Sequence, residues 1–445
     1  MTQHSPAGYF ANRTINELAD QLRAGLVTAA ELVRGALDSI DELDAGLNAF
    51  VTVDRQGAWQ AAAKADAELA EGVDRGPLHG IPVAIKDVID VAGLPTRMGS
   101  AHFADYVAAT DAECVRRLRD GGAVLVGKTT THEFAFGATG DSAHNGPSRN
   151  PHDTSRVTGG SSGGSGGAVA AGMVPLALGT DTGGSVRIPS ALCGVVGFKP
   201  TFNAIPTDGV FPLSQSLDHV GVLARTAHDC RTAYRVLAGL RSSFCHETGE
   251  AARIGWIPPG TLHPTDPRVE RIARAALDVG GLSMRDVELR DPVGIHKAFA
   301  GIQYSEAYAI HAERVAQNPQ LFTPDVLELL GAAAKTTGWQ HVRSLRARDQ
   351  WRSEVHDLLS RVDLLATPTT CVVAPEVGQR EIEIDGTVST VRGALLSLAK
   401  PWNVAGLPAV SVPAGTIDGL PVGVQLACSP GQEDLLFAVA ARIGT

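Results

Sequence analysis

Two short runs constrain the fold of this chain more than any other feature: Val83-Ala84-Ile85 and Ala123-Val124-Leu125-Val126. Both are apolar at successive positions rather than alternate ones. A strand points its side chains to two faces in turn, so such a run is stable only where both faces are covered. The second run follows a helical segment that closes over Arg116 to Gly121, and a helix followed by a doubly covered strand is the repeating unit of α/β folds. Val362-Asp363-Leu364-Leu365-Ala366 and Val422-Gly423-Val424-Gln425-Leu426 read as further strands. The expected architecture is therefore α/β, a single large domain with a mixed central β-sheet covered by helices on both faces.

Residues 1–80 read as an N-terminal helical segment. Thr14 and Glu17, then Thr28 and Glu31, stand at capping-box spacing, with Gly25 as a stop between them. Residues 81–230 form the expected sheet core and 231–361 a mostly helical insertion. In that insertion Asp266-Pro267 opens one helix and Gly280-Gly281 closes it. Residues 362–445 supply the C-terminal part of the sheet. No repeat of solenoid period and no linker divides the 445 residues, so 1–445 is read as one domain.

With 38 Lys and Arg against 48 Asp and Glu, the formal net charge is −10. That balance argues against a phosphate backbone or an anionic membrane as the main partner. The most apolar stretch, Ala168 to Leu178, contains Gly172 and Pro175 and is too short to cross a bilayer. Cys114, Cys193, Cys230, Cys245, Cys371 and Cys428 are far apart, with no C-x-x-C pair and no zinc spacing. They read as buried free thiols in a reducing compartment. Met1 to Arg13 has no basic-then-apolar leader pattern. A cytoplasmic protein with no metal and no cofactor is expected, with a homodimer left open.

Three motif matches are decoys. Gly122-Ala123-Val124-Leu125-Val126-Gly127-Lys128-Thr129 has the letters of a phosphate-binding P-loop. Its variable residues form a β-run whose N–H groups belong to a sheet ladder, not to a phosphate cradle. Gly159 to Gly167 spells G-x-S-x-G twice, but the residues before it, Thr154-Ser155-Arg156-Val157-Thr158, are mostly polar and make a poor strand for a nucleophile elbow. Ser397-Leu398-Ala399-Lys400 fits S-x-x-K, yet Pro401 ends the helix that motif needs.

Three other segments carry chemistry together. Lys86 ends the first buried strand. Gly159 to Gly167, with Ser161 and Ser162, lies between apolar elements, where a tight turn or close ligand approach is a better reading than a flexible linker. The third runs Gly179-Thr180-Asp181-Thr182-Gly183-Gly184-Ser185-Val186-Arg187-Ile188-Pro189. These segments, with Asn403-Val404-Ala405-Gly406-Leu407-Pro408, resemble the amidase signature family. The resemblance is strongest from Gly80 to Thr201 and weakest in the helical middle. Ser185 follows Ser161 by 24 residues, the spacing of the family's paired serines.

The resemblance implies a Ser–cis-Ser–Lys triad. Ser185 would be the acylated nucleophile, Ser161 the bridging serine after a cis peptide with Gly160, and Lys86 the base. Thr182, Gly183, Gly184 and Ser185 would form the oxyanion loop, and Phe134, Phe136 and Gly137 would help line the acyl pocket. The implied reaction is hydrolysis of a small amide to carboxylate and ammonia or amine.

Elementary chemistry supports the assignment. A free lysine near pKa 10.4 is only about 0.04% neutral at pH 7, and burial lowers that value. Asp87 must then face away from Lys86. Asp181 and Arg187 are expected to brace the loop. The family also contains the glutaminase component of the tRNA-dependent amidotransferase, whose usual acidic residue seven positions before the Asn is Leu396 here. Hydrolases of indole-3-acetamide, aryl amides and ureido acids are relatives too. The last would want a pocket arginine, with Arg314, Arg343, Arg346 and Arg348 as candidates. A non-catalytic scaffold is the remaining alternative, which the complete triad disfavours.

Overall fold

The structure is a computed structural model that describes residues 7–240, 252–278 and 282–443. Cys245 and Gly280-Gly281 lie outside these residues. In chain order the strands are β1 (Phe50–Val53), β2 (Pro82–Lys86), β3 (Val124–Thr129), β4 (Arg149–Asn150), β5 (Asp153–Val157), β6 (Leu176–Thr180), β7 (Val196–Lys199) and β8 (Val220–Ala224). They continue as β9 (Arg253–Trp256), β10 (Ser283–Asp286), β11 (Leu364–Pro368), β12 (Glu381–Ile384), β13 (Thr387–Thr390), β14 (Ala409–Ile417) and β15 (Leu420–Cys428). Eleven of them make one mixed sheet in the order β1-β3-β2-β6-β8-β7-β14-β15-β11-β9-β10. Helices cover both of its faces.

The doubly apolar runs become β2 and β3, buried at every position. β2 lies parallel to β3 on one side and to β6 on the other. Their carboxyl ends therefore open at the same edge, where parallel α/β sheets place their ligands. Lys86 ends β2 and Thr180 ends β6. The P-loop letters fall on β3, with Val124 and Leu125 registered against Pro82 and Val83. Their N–H groups are committed to the ladder, as the sequence implied.

The N-terminal capping boxes form at Thr14/Glu17 and Thr28/Glu31, opening helices Ile15–Arg23 and Ala29–Leu47. Residues 1–80 are not wholly helical, however. The β-branched run Val51-Thr52-Val53 pairs antiparallel with the β3 edge as β1. Residues 231–361 likewise contribute β9 and β10, four residues each and too short for periodicity to register. The glycine tract also differs from the turn expected of it. Its second half starts the helix Gly163–Ala170. A Cβ at Gly164 would lie 2.3 Å from the Ala49 carbonyl oxygen and 2.5 Å from the Thr130 nitrogen. Glycine is used there because neighbouring backbone passes in direct contact.

One hydrophobic cluster fills the sheet and its N-terminal helices. A second joins Ile188, Leu192, Leu396 and Trp402 to Phe299, Ile302, Trp351 and Val355 of the long helices Pro292–Gln317 and Gly338–Leu359. The helical region is thereby packed against the segment that carries Ser185. Cys114, Cys193, Cys230, Cys371 and Cys428 are buried free thiols. Among the described residues no helix is long and apolar enough to cross a membrane.

Candidate active site

Lys86 is fully buried at the end of β2. Its Nζ donates to Ser161 Oγ at 2.6 Å and to Thr180 Oγ1 at 2.7 Å. Burial pushes its pKa down to about 7, against the opposing pull of the Asp181 and Asp218 carboxylates. Asp87, the next residue, turns away. It pairs with Lys128 at 3.1 Å and accepts from the Arg97 backbone N–H at 3.0 Å.

Ser161 follows a cis peptide bond with Gly160. Its carbonyl accepts from the His132 N–H at 3.1 Å, and the Gly160 N–H donates to the Ala138 carbonyl at 2.7 Å. These bonds tie the serine to the His132–Ala138 turn. The Ser162 N–H donates to the Ser185 carbonyl at 3.2 Å, drawing the two serine segments together. Ser185 itself is 5% exposed.

The loop before Ser185 is held from beneath by Asp181. That carboxylate accepts from the Gly184 N–H at 2.8 Å, the Val186 N–H at 3.2 Å and both forks of Arg187, at 2.9 and 3.0 Å. Asn403 donates to the Asp181 carboxylate at 2.8 Å and accepts from Arg187 at 2.7 Å. Arg187 also donates to the Ala399 carbonyl and the Gln425 side chain. Burial alone would raise the Asp181 pKa, but the Arg187 guanidinium overrides it and holds the carboxyl well below the usual range. Asp181 and Arg187 thus brace the loop. Gly184, expected among the anion donors, has given its N–H to Asp181. Its role is conformational: φ is 131°, and a Cβ there would stand 2.6 Å from the Ala399 Cβ.

The aromatic residues of the expected acyl pocket part company. Phe134 packs into a cluster with Phe103, Phe211, His311 and Phe322. Phe134 and Ala135 both take positive φ, 52° and 57°, which swings Phe136 away from that cluster. Phe136 faces Tyr304 and lies under the Arg392 guanidinium, 5.5 Å from the ring centroid. Gly137 lies against the His132 ring.

The arginines named from sequence lie on the helices Pro292–Gln317 and Gly338–Leu359. Arg314 stacks on Phe103, Arg343 on the exposed Trp339, Arg348 lies 3.8 Å from Asp349, and Arg346 is exposed. Sequence reasoning also gave no role to Thr180, Asp218 and Arg392, and met Lys400 only in the S-x-x-K match that it set aside. Thr180 precedes a residue it did single out. Asp218 accepts from the Thr182 hydroxyl at 2.5 Å, and burial pushes its pKa up to about 6.

The sequence pattern of the amidase family matches residues 31–437. The chain belongs to the amidase family. It is 36% identical to AtzE of Pseudomonas sp. strain ADP, a component of 1-carboxybiuret hydrolase, over 94% of this chain and 95% of that protein. It is 35% identical to the A subunit of the glutamyl-tRNA(Gln) amidotransferase of Roseiflexus sp. strain RS-1, over 96% of this chain and 94% of that one. A crystal structure of an amidase superimposes with a TM-score of 0.91 at 33% identity, covering 97% of this chain and 99% of the other. This amidase is a hydrolase of amide C–N bonds, and its large mixed sheet is the architecture of its relatives.

Proposed function

We propose that this amidase cleaves a small carboxamide through an acyl-enzyme on Ser185, with Ser161 as proton relay and Lys86 as base. The observation that carries the reading is a fully buried lysine, near neutrality at pH 7, within 2.6 Å of Ser161. An amine in that state accepts a proton and returns it, which an ordinary surface lysine does not. Ser185 Oγ attacks the substrate carbonyl carbon and its proton passes through Ser161 to Lys86. The negative oxygen is received by the N–H groups of Thr182, Gly183 and Ser185, which face no protein acceptor among the described residues. Each such donor is worth about 100- to 1000-fold in rate. The proton returns through Ser161 to the leaving nitrogen, the C–N bond breaks, and ammonia or amine departs. Water then repeats the sequence on the ester, releasing carboxylate and free Ser185.

A glutaminase role is less well supported. Leu396 stands where the glutaminase components of the amidotransferases usually carry an acid, and its side chain lies against Gly183. An ammonium placed there would lack its partner, at a cost of several kcal/mol. All the groups of the proposed machinery come from one chain.

A fluorophosphonate probe with intact-mass readout tests the mechanism. Single labelling is expected in the wild type and none in Ser185→Ala, whose amide turnover should fall by about 10,000-fold or more. Undiminished hydrolysis by Ser185→Ala would remove the acyl-enzyme.

A further inference from the structure

Two cationic side chains stand beside this machinery without any carboxylate to balance them. Arg392 lies in the first turn of the short helix Val391–Leu396. Its guanidinium stands over Phe136, donates to the Gln303 side chain at 3.2 Å and meets the Tyr304 hydroxyl. Lys400 opens the next helix, Lys400–Ala405, with its ammonium 5.5 Å from the centroid of the Phe299 ring. The edge of that ring abuts Gly183, so a Cβ there would lie 2.6 Å from it. Phe136 belongs to the turn that holds Ser161. Both cations therefore lie beside the segments that carry the reacting groups, close enough for Arg392 to act on Lys400.

Neither has an acidic partner within 4.0 Å among the described residues. The acids that share the surroundings of His132 with Arg392 are Asp141 and Asp325, and both are taken by Arg380, at 2.9 and 2.5 Å. The groups facing Lys400 are His263, His296, Cys371 and Arg392, none of them anionic at neutral pH. Burial and the neighbouring arginine push Lys400 down only to about 8, so it keeps its proton at pH 7. Two half-buried like charges are costly to hold together unless an anion joins them, and a planar guanidinium with spare donors suits a carboxylate.

We propose that Arg392 and Lys400 together receive a carboxylate carried by the substrate, so that the preferred substrates are small anionic amides. Resting on the amide-hydrolase reading of Ser185, the inference adds what kind of amide enters. It also agrees with the leucine at position 396, because a substrate that carries a carboxylate and no ammonium needs no acid there.

The test compares ω-carboxylated primary amides from malonamate to adipamate with the matching unsubstituted amides, propionamide to hexanamide, by ammonia release. At least one acid should exceed its neutral counterpart by about 100-fold in kcat/KM. Arg392→Gln should shrink that preference by a similar factor, chiefly through KM, while Arg392→Lys restores part of it. Lys400→Met should shrink it independently, which keeps the test open if Arg392→Gln fails to fold. Equal rates on both series in the wild type, or equal losses on both in the variants, would overturn the proposal. If neither series is hydrolysed, the fault lies with the Ser185 reading. Calorimetry of the same acids with Ser185→Ala then decides: binding abolished by Arg392→Gln upholds the anion site, and no binding overturns it.

Discussion

Lys86 shows how a single residue sets function against stability. Its pKa in the folded protein is about 7, against 10.5 for the free side chain. Between those values the unfolded chain binds the extra proton, so stability rises with pH across that window. The lysine's contribution is most favourable above 10.5 and is lost as the pH falls to about 7, a difference of about 5 kcal/mol. Replacing it by the apolar Met removes that cost but strands the Ser161 and Thr180 hydroxyls, at about 1 kcal/mol each. Lys86→Met should therefore be about 3 kcal/mol more stable than wild type at pH 6.5 and almost inactive. Urea melts with a parallel rate assay check both; a destabilised, active variant would contradict the account. In the wild type, kcat/KM should rise with pH through about 7 and level off above it, as Lys86 loses its proton. A flat profile from pH 5.5 to 8.5 would place the base elsewhere. Lys86, Ser161 and Ser185 were legible in the sequence because each sits in a contiguous motif. Arg392 was not, and Lys400 was met only in a motif match that was set aside, since a lone cation in an apolar stretch gains meaning only from the ring it stands over and the acid it lacks.

At the scale of the element, the same substitution should give opposite results in two places. Gly184 sits at φ 131°, with Ala399 and Ile188 within 3 Å of any added Cβ. Gly184→Ala should destabilise the chain by about 1–3 kcal/mol and cut turnover at least 100-fold, because the loop beside Ser185 must move. Gly46 lies exposed in the helix Ala29–Leu47 with nothing near its Cβ direction. Gly46→Ala should stabilise by about 0.5–1 kcal/mol and leave the rate alone. Thermal melts of the pair, each with a rate measurement, separate steric need from mere glycine content. The strands that could be read ahead, β2, β3, β11 and β15, are apolar on both faces. Most of the others could not be read; among them β1, β9 and β10 owe their existence to a neighbouring edge, β1 to β3 and the short β9 to β11 and β10, and β5 forms over the polar run that was judged a poor strand. Tertiary pairing decided them, and no local pattern of four residues encodes that.

Across the whole molecule, the loop before Ser185 is held by residues more than 200 positions further along the chain. Ala399, Asn403 and Gln425 all bond to Arg187. Asn403 alone makes two bonds to Asp181 as well as accepting from Arg187, in a site closed to water. Its removal leaves both members of a buried ion pair short of a partner, which costs more than the net value of the bonds themselves. Asn403→Ala should lose about 2–4 kcal/mol of stability. On the proposed mechanism it should also lower kcat more than KM, because the loop before Ser185 loosens while the proposed Arg392 site stays put. Trp402, fully buried next to Asn403, is one of five tryptophans, and the difference between the fluorescence of the wild type and of Trp402→Phe reports on the same junction. If the brace couples the C-terminal strands to the catalytic loop, urea should abolish activity and shift the Trp402 signal at one midpoint, and Asn403→Ala should move both together. Activity lost well before the fluorescence changes would mean that the loop unlocks independently of the sheet, and that the network only decorates it.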